Sequence, residues 1–327
     1  MSSKYPIFDR SRLNVRPLAE RVHDMDLRYL LQLDDNPGEI DDAYVRDLET
    51  VAAKLAAKSD SARILMMGAH VIKCGVSRHL IDLLKRGAFT HVAMNGAGAI
   101  HDFELARIGA TTESVARYIR TGEFGLWDQT AILNDWAVDA AERDLGLGEN
   151  FGRRILEEEL PHRDVSILAN AYELGIPVTV HVGLGYDITH EHQNCDGGAY
   201  GKASYRDFLI FTKAVESLEG GVMVSFGSAI MAPEVYLKAL SMVRNVAAQE
   251  DRQIADFTTA VFDLVPIQGN IHSELPKSDP GYYFRPHKTI LVRTVVDGGQ
   301  SLYIRGDHRI VFPALRRAVV AHGSKNG

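Results

Sequence analysis

From about residue 61 the chain alternates two textures. Short, continuous apolar runs end in glycine or a polar residue, and amphipathic stretches lie between them. "ARILMMGAH" precedes "CGVSRHLIDLLKRGAF", and "THVAMNGAG" precedes "IHDFELARIG". "DVSILANAYELG" leads into "IPVTVHVGLG", "SYRDFLIFTKAVESLEGG" into "VMVSFGSA", and "APEVYLKALSMVRNVAAQ" into "ADFTTAVFDL". "KTILVRTVV", "QSLYIRG" and a helix, "FPALRRAVVAH", complete the series. A strand buried on both faces reads as an unbroken apolar run, and helices between such strands imply a parallel sheet covered on both sides. The pattern predicts about five to seven strands in an open, doubly wound, mostly parallel α/β sheet with helices on both faces. Residues 1–60 read instead as a polar, helical N-terminal extension ahead of a sheet domain spanning 61–327. Its clearest helix, "DDAYVRDLETVAAKLAAK", spaces Val45, Leu48, Val51 and Leu55 along one face, with acids at its start and lysines at its end.

Sheets of this kind bind ligands beyond the carboxyl ends of their strands, where strand order reverses. The residues just after each apolar run are therefore the candidates. They are rich in glycine and polar groups: "GAHVIKCG", "NGAGAIHD", "GLGYDITHEHQNCDGGAYG", "GSAIMAPE" and "GDHR". "NGAGAIHD" and "GSAIMAPE" suit close approach of a phosphate to backbone N–H groups at a helix start, although neither is the G-x-G-x-x-G dinucleotide fingerprint in its usual place. A tight strand-to-helix turn would need the same glycines.

His101 and Asp102 stand at the mouth of a predicted helix. Adjacent helical residues point about 100° apart, so no direct hydrogen bond between them is expected. His101 is read as a proton-transfer residue by position, and Asp102 as a cap or a cofactor neighbour. His181, Asp187, His190, Glu191, His192, Cys195 and Asp196 crowd into one loop. His190, His192 and Cys195 offer zinc ligands, but at a spacing that matches no structural zinc pattern. The alternative is a polar site loop that handles a substrate amine. Cys74 has His70 and Lys73 nearby, which suits an activated thiol or a plain buried cysteine.

Composition narrows the partners. Of 327 residues 46% are hydrophobic, enough for a large core, and 36 Lys and Arg face 43 Asp and Glu for a net charge of −7. No basic block interrupts that balance, so nucleic acid and anionic membrane surfaces are not expected partners. Two cysteines, no apolar run near the roughly 20 residues of a membrane helix, and a charged N-terminus point to a cytoplasmic protein.

The order of the motifs resembles the deoxyhypusine synthase family. "ILMMGAHVIKCGVSRHLIDLLKRGAFTHVAMNGAGAIHDFE" is similar to its first βαβ segment with the "T-T-A-G-G-V-E-E-D" turn, and "GIPVTVHVGLGYD" to its "I-P-V-F-S-P-A-L-T-D-G" strand. "GGVMVSFGSAIMAPEVYLKALSMVRN", "ADFTTAVFD" and "GDHRIVFPALRRAV" follow in the family's order, so the resemblance runs from Arg63 to Val319. It implies a Rossmann-like fold, bound NAD, a homotetramer with sites at subunit interfaces, and aminoalkyl transfer from a polyamine through an enzyme-lysine imine. Asn95, Gly96, Ala97 and Gly98 then match the NAD-contacting turn, with Asp102 beside it. Gly227 and Ser228 match the Gly-rich strand end, and Asp307 the Asp before the last helix. Lys288 aligns with the imine-forming lysine, without its Trp-Gly context; a gapless count back from Asp307 gives Thr294. Asp187 stands for a family carboxylate, and His101 replaces another. Ala232 and Pro233 replace a substrate-holding His pair, and Glu274 and Asp279 are remnants of an acidic loop.

Fold and cofactor carry over better than the reaction, and a free small-molecule amine is a better fit than a protein acceptor. The leading expectation is an NAD-dependent transferase using Lys288, His101, Asp187, His190 and His192. The alternatives are an NAD-relay deaminase or cyclodeaminase of an amino acid, a metal-dependent hydrolase built on His190, His192 and Cys195, and a non-catalytic NAD-binding regulator.

Overall fold

The computed structural model describes residues 4–325. In chain order the elements are β1 (His23–Asp26), α1 (Asp42–Ala56), β2 (Arg63–Met67), α2 (His70–Lys73), α3 (Ser77–Lys85), β3 (His91–Asn95), α4 (Gly96–Ile108), β4 (Ala110–Glu113) and α5 (Val115–Tyr118). Then come α6 (Ile132–Glu142), α7 (Leu147–Glu157), α8 (Ile167–Glu173), β5 (Val178–His181), α9 (Gly197–Val215), β6 (Val222–Phe226), α10 (Met231–Gln249), β7 (Thr258–Asp263), β8 (Gln300–Arg305) and α11 (His308–Lys325).

Six strands form one sheet in the order β5-β3-β2-β6-β7-β8, every neighbouring pair parallel. Numbered by their order in the chain these are strands 3-2-1-4-5-6, the doubly wound Rossmann arrangement. The order reverses between β2 and β6, so the crevice belongs above Met67 and Phe226. Alternate residues of each strand feed two cores: Leu65, Met67, Val92, Val224 and Phe262 face one, and Ile64, Met66, Ala93, Met223 and Val261 the other. Helices α1, α3, α4, α8 and α11 cover the first face, and α9 and α10 the second. With both faces dry, each strand reads as an unbroken apolar run.

Two sequence expectations change. "KTILVRTVV" is not a strand: Pro286–Arg293 is a π-helix, with Thr294 N–H bonded to the Thr289 carbonyl at 3.2 Å. Its residues from Pro286 to Leu291 are all buried, so the run lacks the one-sided pattern that betrays a helix, and Pro286 presets the helical φ at its start. The first 60 residues are also not purely helical. β1 pairs antiparallel with β4, and Met25, Leu30, Leu48 and Val51 belong to the main core. No helix among the described residues is long and apolar enough to cross a membrane.

Candidate functional site

Strands β2 and β6 are followed directly by Gly68 and Gly227, whose backbones pack closely together. A Cβ on Gly68 would lie 2.2 Å from the Gly227 carbonyl oxygen, and Gly227 itself has φ +55° with its missing Cβ aimed at the His308 ring. Side chains at these positions would push the two strand ends apart. Above them opens a crevice of about 500 Å³, bounded by Asn95, His181, Asp187, Gly227 and Ser228. Helices α4 and α10 both begin at its edge.

A second cavity of about 230 Å³ adjoins it and carries most of the charge: Arg21, Lys73, His101, Glu104 and Glu113 line it. Ala97, Tyr186 and Asp187 border both cavities. Asp187 is the junction. Its carboxylate accepts the Ala97 backbone N–H at the start of α4, and burial pushes its pKa up to about 6. It lies so close over Gly96 that a Cβ there would stand 1.9 Å from Oδ2.

His101 is held by a chain of hydrogen bonds. Arg21 grips the buried Glu104 carboxylate with two bonds of 2.8 and 2.7 Å. Thr111 and Thr130 hydroxyls also donate to Glu104, at 2.7 and 2.9 Å. The single Thr111 proton is thus committed, so Thr111 Oγ1 accepts from His101 Nδ1–H at 2.8 Å. The tautomer is fixed, and His101 Nε2 is left with a bare lone pair in a cavity-lining residue. Burial pushes the His101 pKa down to about 4, so the ring is neutral at physiological pH. Burial raises Glu104 too, but Arg21 and Thr111 outweigh it and hold the carboxyl below its ordinary range. Thr112, a β-branched residue at φ +63°, sits between Thr111 and Glu113. Such a conformation costs about 1–3 kcal/mol and persists only where surroundings enforce it.

Glu113 accepts the Gly125 N–H and the Trp127 indole N–H, at 3.1 and 2.9 Å. Burial and this neighbour together push Glu191 up to about 7. Glu113 therefore lines the cavity with a second acidic group, Glu191, close enough to feel its charge.

Of the residues the sequence nominated, His101, Asp187, Asn95, Gly96, Ala97, Gly227 and Ser228 converge on these cavities. Gly98 serves the turn, its N–H bonded to Asn95 Oδ1 at 3.1 Å. Asp102 lies inside α4, whose own cap is Asn95, and points away from the crevice, so it neither caps the helix it belongs to nor borders the candidate cofactor seat. Fully buried, it accepts from Ser166 Oγ, Ile167 N and Leu168 N at 2.5, 2.7 and 3.1 Å and caps α8. Asp307 is exposed and caps α11 through Arg309 N at 2.8 Å. Lys288 is buried on the π-helix with Nζ 3.4 Å from the Tyr282 ring centroid, and it lines neither cavity. Thr294, beside it, bonds the Ile290 carbonyl at 3.1 Å.

His190 and His192 act on the backbone. His190 Nδ1 accepts the N–H groups of Gly185 and Asp187, both at 3.2 Å, and so shapes the turn that delivers Asp187. His192 Nε2 bonds the Gly125 carbonyl at 2.9 Å. One nitrogen of each ring is thereby committed to the backbone, and among the described residues no three His, Cys, Asp or Glu side chains gather as a metal site would require. The zinc-hydrolase alternative is withdrawn on that geometry. The activated-thiol reading of Cys74 fails as well: it is 9% exposed, and burial raises its pKa to about 11.

Sequence reasoning missed Arg21, Lys73, Glu104, Thr111 and Glu113 as site residues. Glu104 left a trace, lying one turn after His101 on a helix with Asp102 and Glu104 both buried. Arg21 left none, because its partner is 83 residues away.

No family model matches the sequence, and no curated protein matches it. Solved structures resemble it distantly. A conserved protein assigned as LOR/SDH from Methanococcus maripaludis S2 aligns with TM-score 0.49 and 14% identity over 84% of this chain and 69% of that one. AgrE, solved with ornithine and NAD+, aligns at 0.47 and 12% over 86% of this chain, which spans about a third (34%) of AgrE. A protein assigned as a deoxyhypusine synthase from Entamoeba histolytica aligns at 0.46 and 10%, over 85% and 88%. The α/β assignment rests on the strand order itself.

Proposed function

We propose that this protein is an NAD-dependent enzyme acting on a small free amine, with the dinucleotide in the switch-point crevice and the amine in the His101 cavity. The observation that carries the reading is the neutral His101, its Nε2 lone pair fixed by the Arg21–Glu104–Thr111 chain, in a carboxylate-lined cavity that opens off the crevice. The crevice suits the cofactor. It lies where strand order reverses, two helices begin at its edge, and Gly68 and Gly227 keep its floor free of side chains. NAD, when bound, supplies reversible hydride acceptance.

The chain's own part is to bind, orient and deprotonate. Glu113 attracts the ammonium group, and Asp187 holds the boundary between substrate and cofactor. His101 Nε2 accepts the proton the amine must lose, and Glu104, reached through Thr111, offsets the imidazolium charge that results. Lys288 lies outside both cavities, which favours chemistry needing no enzyme lysine, deamination or cyclodeamination, over aminoalkyl transfer. The transfer reading requires a partner subunit in a tetramer to bring Lys288 to the site.

Native mass spectrometry of the purified protein, then amine screening at 340 nm, tests the assignment. The expected result is one NAD per chain, transient reduction with an amine, and no borohydride-trapped imine on Lys288. His101→Gln is expected to slow turnover by about 10²–10⁴-fold with NAD still bound. Unchanged turnover in that variant would remove His101 from the chemistry.

A further inference from the structure

Behind the crevice wall lies a hydrogen-bonded group that the proposed chemistry does not use. The Thr179 hydroxyl on β5 stands 3.0 Å from Nε2 of His91 on β3 and 3.0 Å from Nε2 of His181 at the end of β5. All three side chains are buried, and the Phe211 ring of α9 makes a T-shaped contact with both imidazoles, centroids 5.5 Å apart. His181 borders the crevice, and among the described residues its ring's only hydrogen bond is the one Nε2 makes with Thr179. His91 Nδ1 is buried without a partner among the described residues.

One hydroxyl carries one proton, so it donates to one imidazole and accepts from the other. Both rings are neutral, because burial pushes each pKa down to about 3. Two arrangements follow. If His181 donates to Thr179, His181 shows a lone pair to the crevice, and His91 must carry its proton on the buried, unpartnered Nδ1. If His91 donates to Thr179, His91 keeps only an unpaired acceptor inside, and His181 turns an N–H toward the crevice. A buried donor without an acceptor is the rarer and costlier fault in folded proteins, so the second arrangement is the stable one.

We propose that His181 is a side-chain hydrogen-bond donor to the crevice, locked as the Nδ1–H tautomer by Thr179 and His91 behind it, and that it selects an acceptor oxygen on the bound dinucleotide. The ligand half of this proposal rests on the reading of the crevice as a cofactor seat; the tautomer half does not. Thr179 and His91 are positioning residues, acting only through His181. A ligand presenting a donor at the same place would have to reverse the relay and strand the His91 N–H, and is disfavoured.

The test is nitrogen NMR of ¹⁵N-histidine-labelled protein, with NAD+ and ADP-ribose titrations, on wild type, Thr179→Val and Thr179→Ser. Wild type and Thr179→Ser are expected to show His181 protonated at Nδ1 and His91 at Nε2. Thr179→Val is expected to show His181 as a mixture of tautomers and to bind NAD+ about tenfold more weakly, the worth of one hydrogen bond. A loss confined to NAD+ places the acceptor on the nicotinamide carboxamide; an equal loss for ADP-ribose places it on a phosphate or ribose oxygen. Either supports the proposal. His181 protonated at Nε2 in wild type, or Thr179→Val matching wild type in tautomer or in NAD+ affinity, overturns it. Should Thr179→Val fail to fold, the wild-type and Thr179→Ser spectra still decide the tautomer. Absence of NAD+ binding by wild type would sink the cofactor reading, while the unliganded spectra would judge the relay by themselves.

Discussion

Replacing Arg21 by methionine leaves the Glu104 carboxylate buried without its cation. Both side chains are about 1% exposed and joined by two bonds of 2.8 and 2.7 Å, so water cannot take over the lost role. Breaking one side of such a pair costs about 3–5 kcal/mol, because an uncompensated charge stays inside. The loss also acquires a pH dependence of known sign. In the native protein Glu104 has a folded pKa below its ordinary 4.5, so its contribution is present above that pH and lost as pH falls through the folded value. Without Arg21 the burial effect, the largest influence on this group, is no longer outweighed, and the folded pKa moves above 4.5. Stability is then intact below that pH and falls as pH rises through the new folded value. Urea unfolding followed by fluorescence of the buried Trp127 and Trp136 reads this directly. Arg21→Met is expected to lose about 3–5 kcal/mol at pH 7 and at least about 1 kcal/mol less at pH 5, one pKa unit being worth about 1.4. A loss below about 1 kcal/mol at pH 7, or equal losses at both pH values, would refute the assignment of Glu104 as an ionised group held by Arg21.

Three further outcomes follow from the geometry. Gly96→Ala is expected to destabilise the fold by about 1–3 kcal/mol by driving its Cβ into Asp187, and Asp187→Ala in the same chain should recover most of that loss in a double-mutant cycle; additive losses would deny the contact. Asp102→Ala should cost about 3 kcal/mol in thermal or urea unfolding by orphaning the start of α8, yet leave cofactor affinity unchanged below its melting range; a selective loss of affinity would return Asp102 to the crevice. Cys74 should resist iodoacetamide at pH 8 in the folded protein and react only on unfolding, whereas rapid alkylation would reveal an accessible thiolate.

The amino-acid sequence alone determined the sheet. β2, β3, β5, β6 and β7 are legible because burial on both faces makes each a short apolar run, and the turn that follows needs glycine or a capping side chain at a fixed place. Those are local properties, written in consecutive residues. The rule that ligands sit at strand ends then pointed to Asn95, Gly96, His101, Asp187, Gly227 and Ser228, which do border the two cavities. Tertiary structure decided what each of these does. Asp102 and His101 are neighbours in the chain, yet a helix turns one into a cap for α8 and the other into a cavity. The partners that shape the two cavities are distant in sequence: Arg21 with Glu104, Asp187 with Gly96, His91 with Thr179. No spacing rule joins such pairs, because their contact arises from strand order and from the pairing of β1 with β4. The π-helix at Pro286–Arg293 was hidden for a related reason: complete burial erases the one-sided pattern by which a helix is read, and only packing against its surroundings settles which way the backbone turns.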